Sequence, residues 1–173
     1  AGHGVHIGGS TTNGNTFTGN FIGTNAAGTA AIGNDAMGIE IWEGNSNVIG
    51  GTAAGQGNVI SGNGAEGVAL RNGAVSNQIV GNRIGTTSAG TSALANVGAG
   101  VWVTDSANNT IGGTAAGAGN VISGNGGHGI EMSGETTTSN TVQGNFIGTG
   151  PGGTGNLGNN GHGIKLSSSP DNF

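Results

Sequence analysis

The sequence predicts an all-β solenoid of parallel strands, about five and a half turns long, and three regularities carry that expectation. One is a long repeat. Gly57-Asn58-Val59-Ile60-Ser61-Gly62-Asn63 returns as Gly119-Asn120-Val121-Ile122-Ser123-Gly124-Asn125, and each copy follows an Ile-Gly-Gly-Thr-Ala-Ala-Gly run, at Ile49–Gly55 and Ile111–Gly117. A second is the spacing of the glycines that open apolar-x-apolar triplets. Gly4, Gly67 and Gly129 lie 63 and 62 residues apart, and Gly38, Gly100 and Gly163 lie 62 and 63 apart. The third is asparagine, which keeps a fixed place beside each expected core residue.

Two kinds of turn alternate. Long turns (4–37, 67–99, 129–162) carry Gly-Asn-x-Ile-Gly-Thr at Gly19–Thr24, Gly81–Thr86 and Gly144–Thr149. Short turns (38–66, 100–128) carry the Gly-Gly-Thr-Ala-Ala-Gly insertion, and a partial turn occupies 163–173. Residues 1–173 thus form one segment, and the sequence reads as a window on a longer array.

Within each turn the first strand is the triplet: Val5/Ile7, Ile39/Ile41, Val68/Leu70, Val101/Val103, Ile130/Met132 and Ile164/Leu166. Alternation with period two and aliphatics at the inward places is the strand signal. The second strand gives one core residue per turn, Phe17, Ile49, Ile79, Ile111 and Val142. The third gives Ile22, Ile60, Ile84, Ile122 and Ile147. Asn15, Asn47, Asn77, Asn109 and Asn140 stand two residues before the second-strand core residue. Asn20, Asn58, Asn82, Asn120 and Asn145 stand two before the third-strand isoleucine. Strands stacked in register about 4.8 Å apart let identical amides bond up a column, so both columns are expected to be asparagine ladders. The 42 glycines are expected at the corners, where the chain needs positive φ.

Composition narrows the function classes. Three basic residues, Arg71, Arg83 and Lys165, in a chain of net charge −5 cannot build a nucleic-acid stripe. No apolar run approaches the roughly 18 residues of a membrane span, and no signal peptide is visible. Without cysteine there is no disulfide or thiol chemistry.

Gly-Ile-x-Ile followed by Asn-x-Ile-x-Gly-Asn over essentially the whole chain resembles the right-handed parallel β-helix repeat proteins of bacterial secreted and surface polypeptides. That resemblance implies right-handedness and an extracellular or cell-surface location. It also points to the first-strand sheet, which borders the substrate groove in polysaccharide lyases of this architecture. The outward column of that sheet reads His6, Glu40, Ala69, Trp102, Glu131, Lys165, and the next is expected to read Gly9, Trp42, Asn72, Thr104, Gly134, Ser168.

Glu40 and Glu131 are three turns apart, roughly 14 Å, beyond the ~5–9.5 Å of glycosidase carboxylates. Glu131 and Lys165 are on adjacent turns and are expected to pair. Trp42 and Trp102, roughly 12 Å apart by strand geometry, are expected to pack on neighbouring loops. With Glu40 and Glu131 they form the candidate carbohydrate-binding set. His3, His128 and His162 share the column before the first-strand glycine; two neighbours without a third ligand predict corner residues, not a metal site. Thr24, Thr86 and Thr149 recur too sparsely for an ice-binding face.

The expected function is that of a non-catalytic extracellular structural solenoid, a surface, matrix or filament element that self-associates end to end. No catalytic residue, metal or cofactor is assigned, and neither a nucleic-acid partner nor a membrane span is expected. The rival is a carbohydrate-binding or polysaccharide-degrading β-helix that uses the first-strand face.

Overall fold

The computed structural model describes residues 2–173, and every turn contributes strands at the expected places. The first turn holds β1 (Val5–Gly8), β2 (Thr16–Phe17) and β3 (Phe21–Ile22); the second holds β4 (Ile39–Trp42), β5 (Val48–Gly50) and β6 (Val59–Ile60). The third comprises β7 (Val68–Arg71), β8 (Gln78–Val80) and β9 (Arg83–Ile84), and the fourth β10 (Val101–Thr104), β11 (Thr110–Gly112) and β12 (Val121–Ile122). The fifth adds β13 (Ile130–Ser133), β14 (Thr141–Gln143) and β15 (Phe146–Ile147), and β16 (Ile164–Ser167) begins the sixth. They stack into three parallel sheets: β1-β4-β7-β10-β13-β16, β2-β5-β8-β11-β14 and β3-β6-β9-β12-β15. The described residues contain no α-helix, and no helix is long and apolar enough to cross a membrane.

Register follows the core columns. In the first sheet Val5, Ile39, Val68, Val101, Ile130 and Ile164 lie directly over one another, with Ile7, Ile41, Leu70, Val103, Met132 and Leu166 beside them. Ile49, Ile79 and Ile111 of the second sheet and Ile60, Ile84 and Ile122 of the third close the interior, all completely buried. A one-residue slip would turn every one of these side chains to solvent, so the apolar pattern fixes the pairing.

Both expected asparagine ladders form. The Oδ1 of Asn109 accepts from the backbone N–H and the Nδ2 of Asn77, while its own Nδ2 donates to Asn140 Oδ1 and to the Ala74 carbonyl. The same pattern runs from Asn15 through Asn47, Asn77, Asn109 and Asn140 to Asn172. It also runs from Asn20 through Asn58, Asn82 and Asn120 to Asn145. A third ladder, which sequence reasoning missed, runs from Asn34 through Asn63, Asn96 and Asn125 to Asn159.

The missed ladder was hidden by the long turns. Asn63 and Asn125 come three residues after the third-strand isoleucine, but Asn34, Asn96 and Asn159 come twelve after it. The intervening residues loop out and return through a bridge at Thr24↔Ala31, Thr86↔Ala93 and Thr149↔Asn156. Loops of alternate turns then touch: the Ser88 N–H donates to the Gly28 carbonyl and its Oγ to the Ala27 carbonyl. Thr86 is completely buried at the base of its loop, and its carbonyl accepts from Ser61 Oγ.

Glycine does not hold every corner. The residue after each first strand has positive φ, and at four of the six turns it is Glu43, Asn72, Asp105 or Ser168. Asparagine and aspartate tolerate this region because their short side chains bond locally. Gly50 is different: a Cβ there would meet the Val80 carbonyl oxygen at 2.0 Å, so close approach of the next turn requires glycine.

Replacing Asn109 with Ala should lower stability by about 3 kcal/mol or more, because buried donors of Asn77 and the Ala74 carbonyl lose their partners. Urea unfolding of Asn109→Ala beside Asn160→Ala, an exposed asparagine with no side-chain bond, measures it; equal midpoints would contradict the role given to the ladder.

Candidate functional site

Chemistry-bearing side chains gather on the outer face of the first sheet, where β1, β4, β7 and β10 meet. Correct register puts Gly8, Trp42, Arg71, Thr104, Ser133 and Ser167 in the second outward column. Gly9, Asn72, Gly134 and Ser168, expected there, each lie one residue further on, at the positive-φ corner. The slip matters because it concealed Arg71.

Arg71 is the hub. It pairs directly with Trp42 across the sheet and lies diagonal to Glu40 and Trp102, since Glu40, Ala69 and Trp102 form the adjoining column. Diagonal neighbours are within reach of long side chains. Ala69 carries only a methyl, which leaves room for the guanidinium to cross the column. Arg71 Nη1 lies 2.9 Å from Glu40 Oε1, and its Cζ sits 5.0 Å from the ring centroid of Trp42 and 5.0 Å from that of Trp102. A guanidinium between two indoles is attracted by both ring quadrupoles.

Both tryptophans have a partner that the sequence reading did not give them, Arg71. Their rings converge on Arg71, closer than strand geometry alone sets, and each gives one face to it. Trp102 is pinned further by Nε1 donating to Ser133 Oγ at 3.1 Å. Both indoles are half-buried.

Glu40 occupies an outward position, yet its residue is only 4% exposed. Arg71 and the two histidines cover it. His3 Nε2 lies 3.2 Å and His6 Nδ1 2.9 Å from the same oxygen, Oε2, while Arg71 holds Oε1. The two imidazoles are near-parallel, with centroids 5.7 Å apart. The His6 ring lies over Gly8: a Cβ there would be 2.5 Å from His6 Nε2, so a larger residue would make the ring shift from this position. The His3 Nδ1 and the Arg71 Nε are buried without a partner.

The remaining candidates fall elsewhere. Glu131 pairs with Lys165 Nζ at 2.7 Å, as the adjacent turns implied, three strands away from Glu40. His128 and His162 stack with centroids 5.3 Å apart and an interplanar angle of 2°, and His128 Nδ1 accepts the backbone N–H of His162. That bond occupies a nitrogen that a shared ion would need. An open groove of about 390 Å³ lies on the third sheet, with Arg83, Val121 and Phe146 on its floor and Thr52 and Pro151 on its walls. It lies on a different sheet from the Arg71 cluster.

The sequence reading named Glu40, Trp42 and Trp102 but not Arg71, His3 or His6 as their partners. Strict two-residue alternation from the triplets would have found Arg71, and the His6–Glu40 adjacency was present in the first outward column.

The fold and its ladders define a parallel β-solenoid repeat protein of about five turns. Comparison with protein-family models, with curated proteins and with solved structures gives no match.

Removing Arg71 leaves Glu40 as a covered carboxylate without its strongest partner. Arg71→Ala should therefore cost about 3 kcal/mol, the lower end for a broken buried pair because Arg71 is partly exposed. In a cycle with Glu40→Gln, the double variant should be more stable than the sum of the singles by roughly 1 kcal/mol or more. Fluorescence of the two tryptophans should change with Arg71→Ala and much less with Glu40→Gln; additive losses and an unchanged spectrum would contradict the hub.

Proposed function

We infer that the chain is a non-catalytic structural β-solenoid of the bacterial secreted or cell-surface kind, serving as a stiff rod in a surface, matrix or filament assembly. The observation that carries this reading is the continuity of the three asparagine ladders, each bonded to the next turn from one end of the described residues to the other. Side-chain hydrogen bonding is invested along the axis, where it resists stretching and bending. Charged groups on the first-sheet face are paired with one another: Glu40 with Arg71, and Glu131 with Lys165. That arrangement suits a static surface better than acid–base work, which calls for a carboxylate free to exchange a proton.

Self-association along the axis belongs to the same proposal. A solenoid of this kind adds turns by covering the core aliphatics and strand edges of the turn before, as each turn here covers the one beneath it. The rival reading, glycan retention by Trp42, Trp102, Glu40 and Glu131, draws on half-buried indoles. Arg71 already occupies one face of each, and both carboxylates are ion-paired.

Electron microscopy across a concentration series, checked by sedimentation, tests the proposal. Rods that lengthen in steps of one subunit are expected. Particles that stay monomeric, together with retention on a polysaccharide column that Trp42→Ala/Trp102→Ala abolishes, would replace the structural reading with the glycan one.

A further inference from the structure

We propose that His3, His6 and Glu40 form a binding site for a divalent transition metal of the zinc class. The ion would be held by His3 Nε2, His6 Nδ1 and Glu40 Oε2 and would tie the first turn of the solenoid to the second. This inference stands apart from the structural role: a rod without the metal, or a metal site on a protein of another function, is equally coherent.

The geometry is the first argument. A tetrahedral ion with ligands at about 2.0–2.1 Å has ligand–ligand edges of about 3.3 Å. The two edges that meet at Glu40 Oε2 are 2.9 Å and 3.2 Å, and all three ligand atoms lie within 4.8 Å of one another. Among the described residues this is the one group of three or more histidine, cysteine or acidic side chains that converges so closely.

The second argument is the division of labour on Glu40. Its Oε1 is taken by Arg71 at 2.9 Å, so the guanidinium fixes the carboxylate plane and leaves Oε2 to the two imidazoles. A metal-bound carboxylate is ordinarily held in this way by a hydrogen bond to its other oxygen. Arg71 is itself fixed between Trp42 and Trp102, so the orientation of Oε2 is locked from the opposite side.

Ligand type decides the class of ion. Two imidazole nitrogens and one carboxylate oxygen suit zinc, cobalt, nickel or copper, whereas magnesium and calcium prefer an all-oxygen set. The side chain of His6 is 53% exposed, which gives an ion a route in and leaves the fourth position to water. His128 and His162 offer a contrast within the same chain. Their rings are also stacked, but no carboxylate joins them and one nitrogen is already bonded to backbone.

The test uses the full chain without a histidine tag, stripped with chelator and titrated with Zn²⁺ by calorimetry. Co²⁺ serves as a visible-absorption probe of tetrahedral coordination. Wild type should take up one ion per chain, and its Tm should rise with Zn²⁺ concentration, as expected for a ligand that binds only the folded state. His6→Ala, at an exposed position where folding is not at stake, should weaken Zn²⁺ binding by about tenfold or more, and His3→Ala likewise. His128→Ala should leave it unchanged, and Mg²⁺ should produce neither heat nor a Tm shift. Absence of one-to-one Zn²⁺ uptake by the folded wild type would overturn the proposal, as would uptake that survives His3→Ala and His6→Ala or disappears with His128→Ala.

Discussion

The whole structure depends on one repeated hydrogen-bonding unit: an asparagine Oδ1 that accepts both the backbone N–H and the side-chain N–H of the asparagine one turn away. Corners are where a parallel solenoid is weakest, because strands there end and backbone groups lose their ladder partners while remaining buried. Asn47, Asn77, Asn82, Asn109 and Asn120 supply those partners, and all are essentially inaccessible to solvent. Each amide also donates to a backbone carbonyl beside the corner, as Asn82 does to Ile49 and Asn120 to Ile79. With polar groups so fully used, burial of asparagine carries little penalty. Strands of two to four residues can then suffice.

Alternation of long and short turns follows from what each corner must accommodate. Long-turn loops leave the barrel after the third strand, pass over the intervening short turn and touch the loop two turns on, as Gly28 and Ser88 show. The short turns fill the gap with Ser61 and Ser123, whose hydroxyls bond the Thr86 and Thr149 carbonyls. Their own Thr-Ala-Ala-Gly loops also approach each other across a turn: a Cβ on Gly117 would meet the Thr52 carbonyl at 2.3 Å. The repeating unit of this rod is therefore a pair of turns, and the glycines at 81 and 144 that pack beneath neighbouring loops belong to the long partner of each pair.

Much of this was legible from residue order alone. Stacked columns such as Ile49-Ile79-Ile111 obey a single alternation rule, and asparagines two residues before them share that register. The ladder at Asn34, Asn63, Asn96, Asn125 and Asn159 was less accessible, because looped-out residues break the spacing that a column search relies on. The Arg71 cluster was harder still. Arg71 meets Glu40 and Trp102 diagonally, and the cluster depends on side-chain reach: Arg71 crosses Ala69, His3 leans from a corner, and the His6 ring lies over Gly8. Periodicity says which face a residue occupies. It does not say that an outward glutamate is roofed by its neighbours.

Exchange of asparagine side-chain amide protons, followed residue by residue by NMR, tests the central role of the ladders most directly. Nδ2 protons of Asn47, Asn77, Asn82, Asn109 and Asn120 are expected to exchange far more slowly than those of Asn156 and Asn160, whose amides bond to nothing in the protein. Exchange of all these amides at one common, unprotected rate would contradict the account: the turns would then be held by backbone pairing and apolar packing, without the ladders.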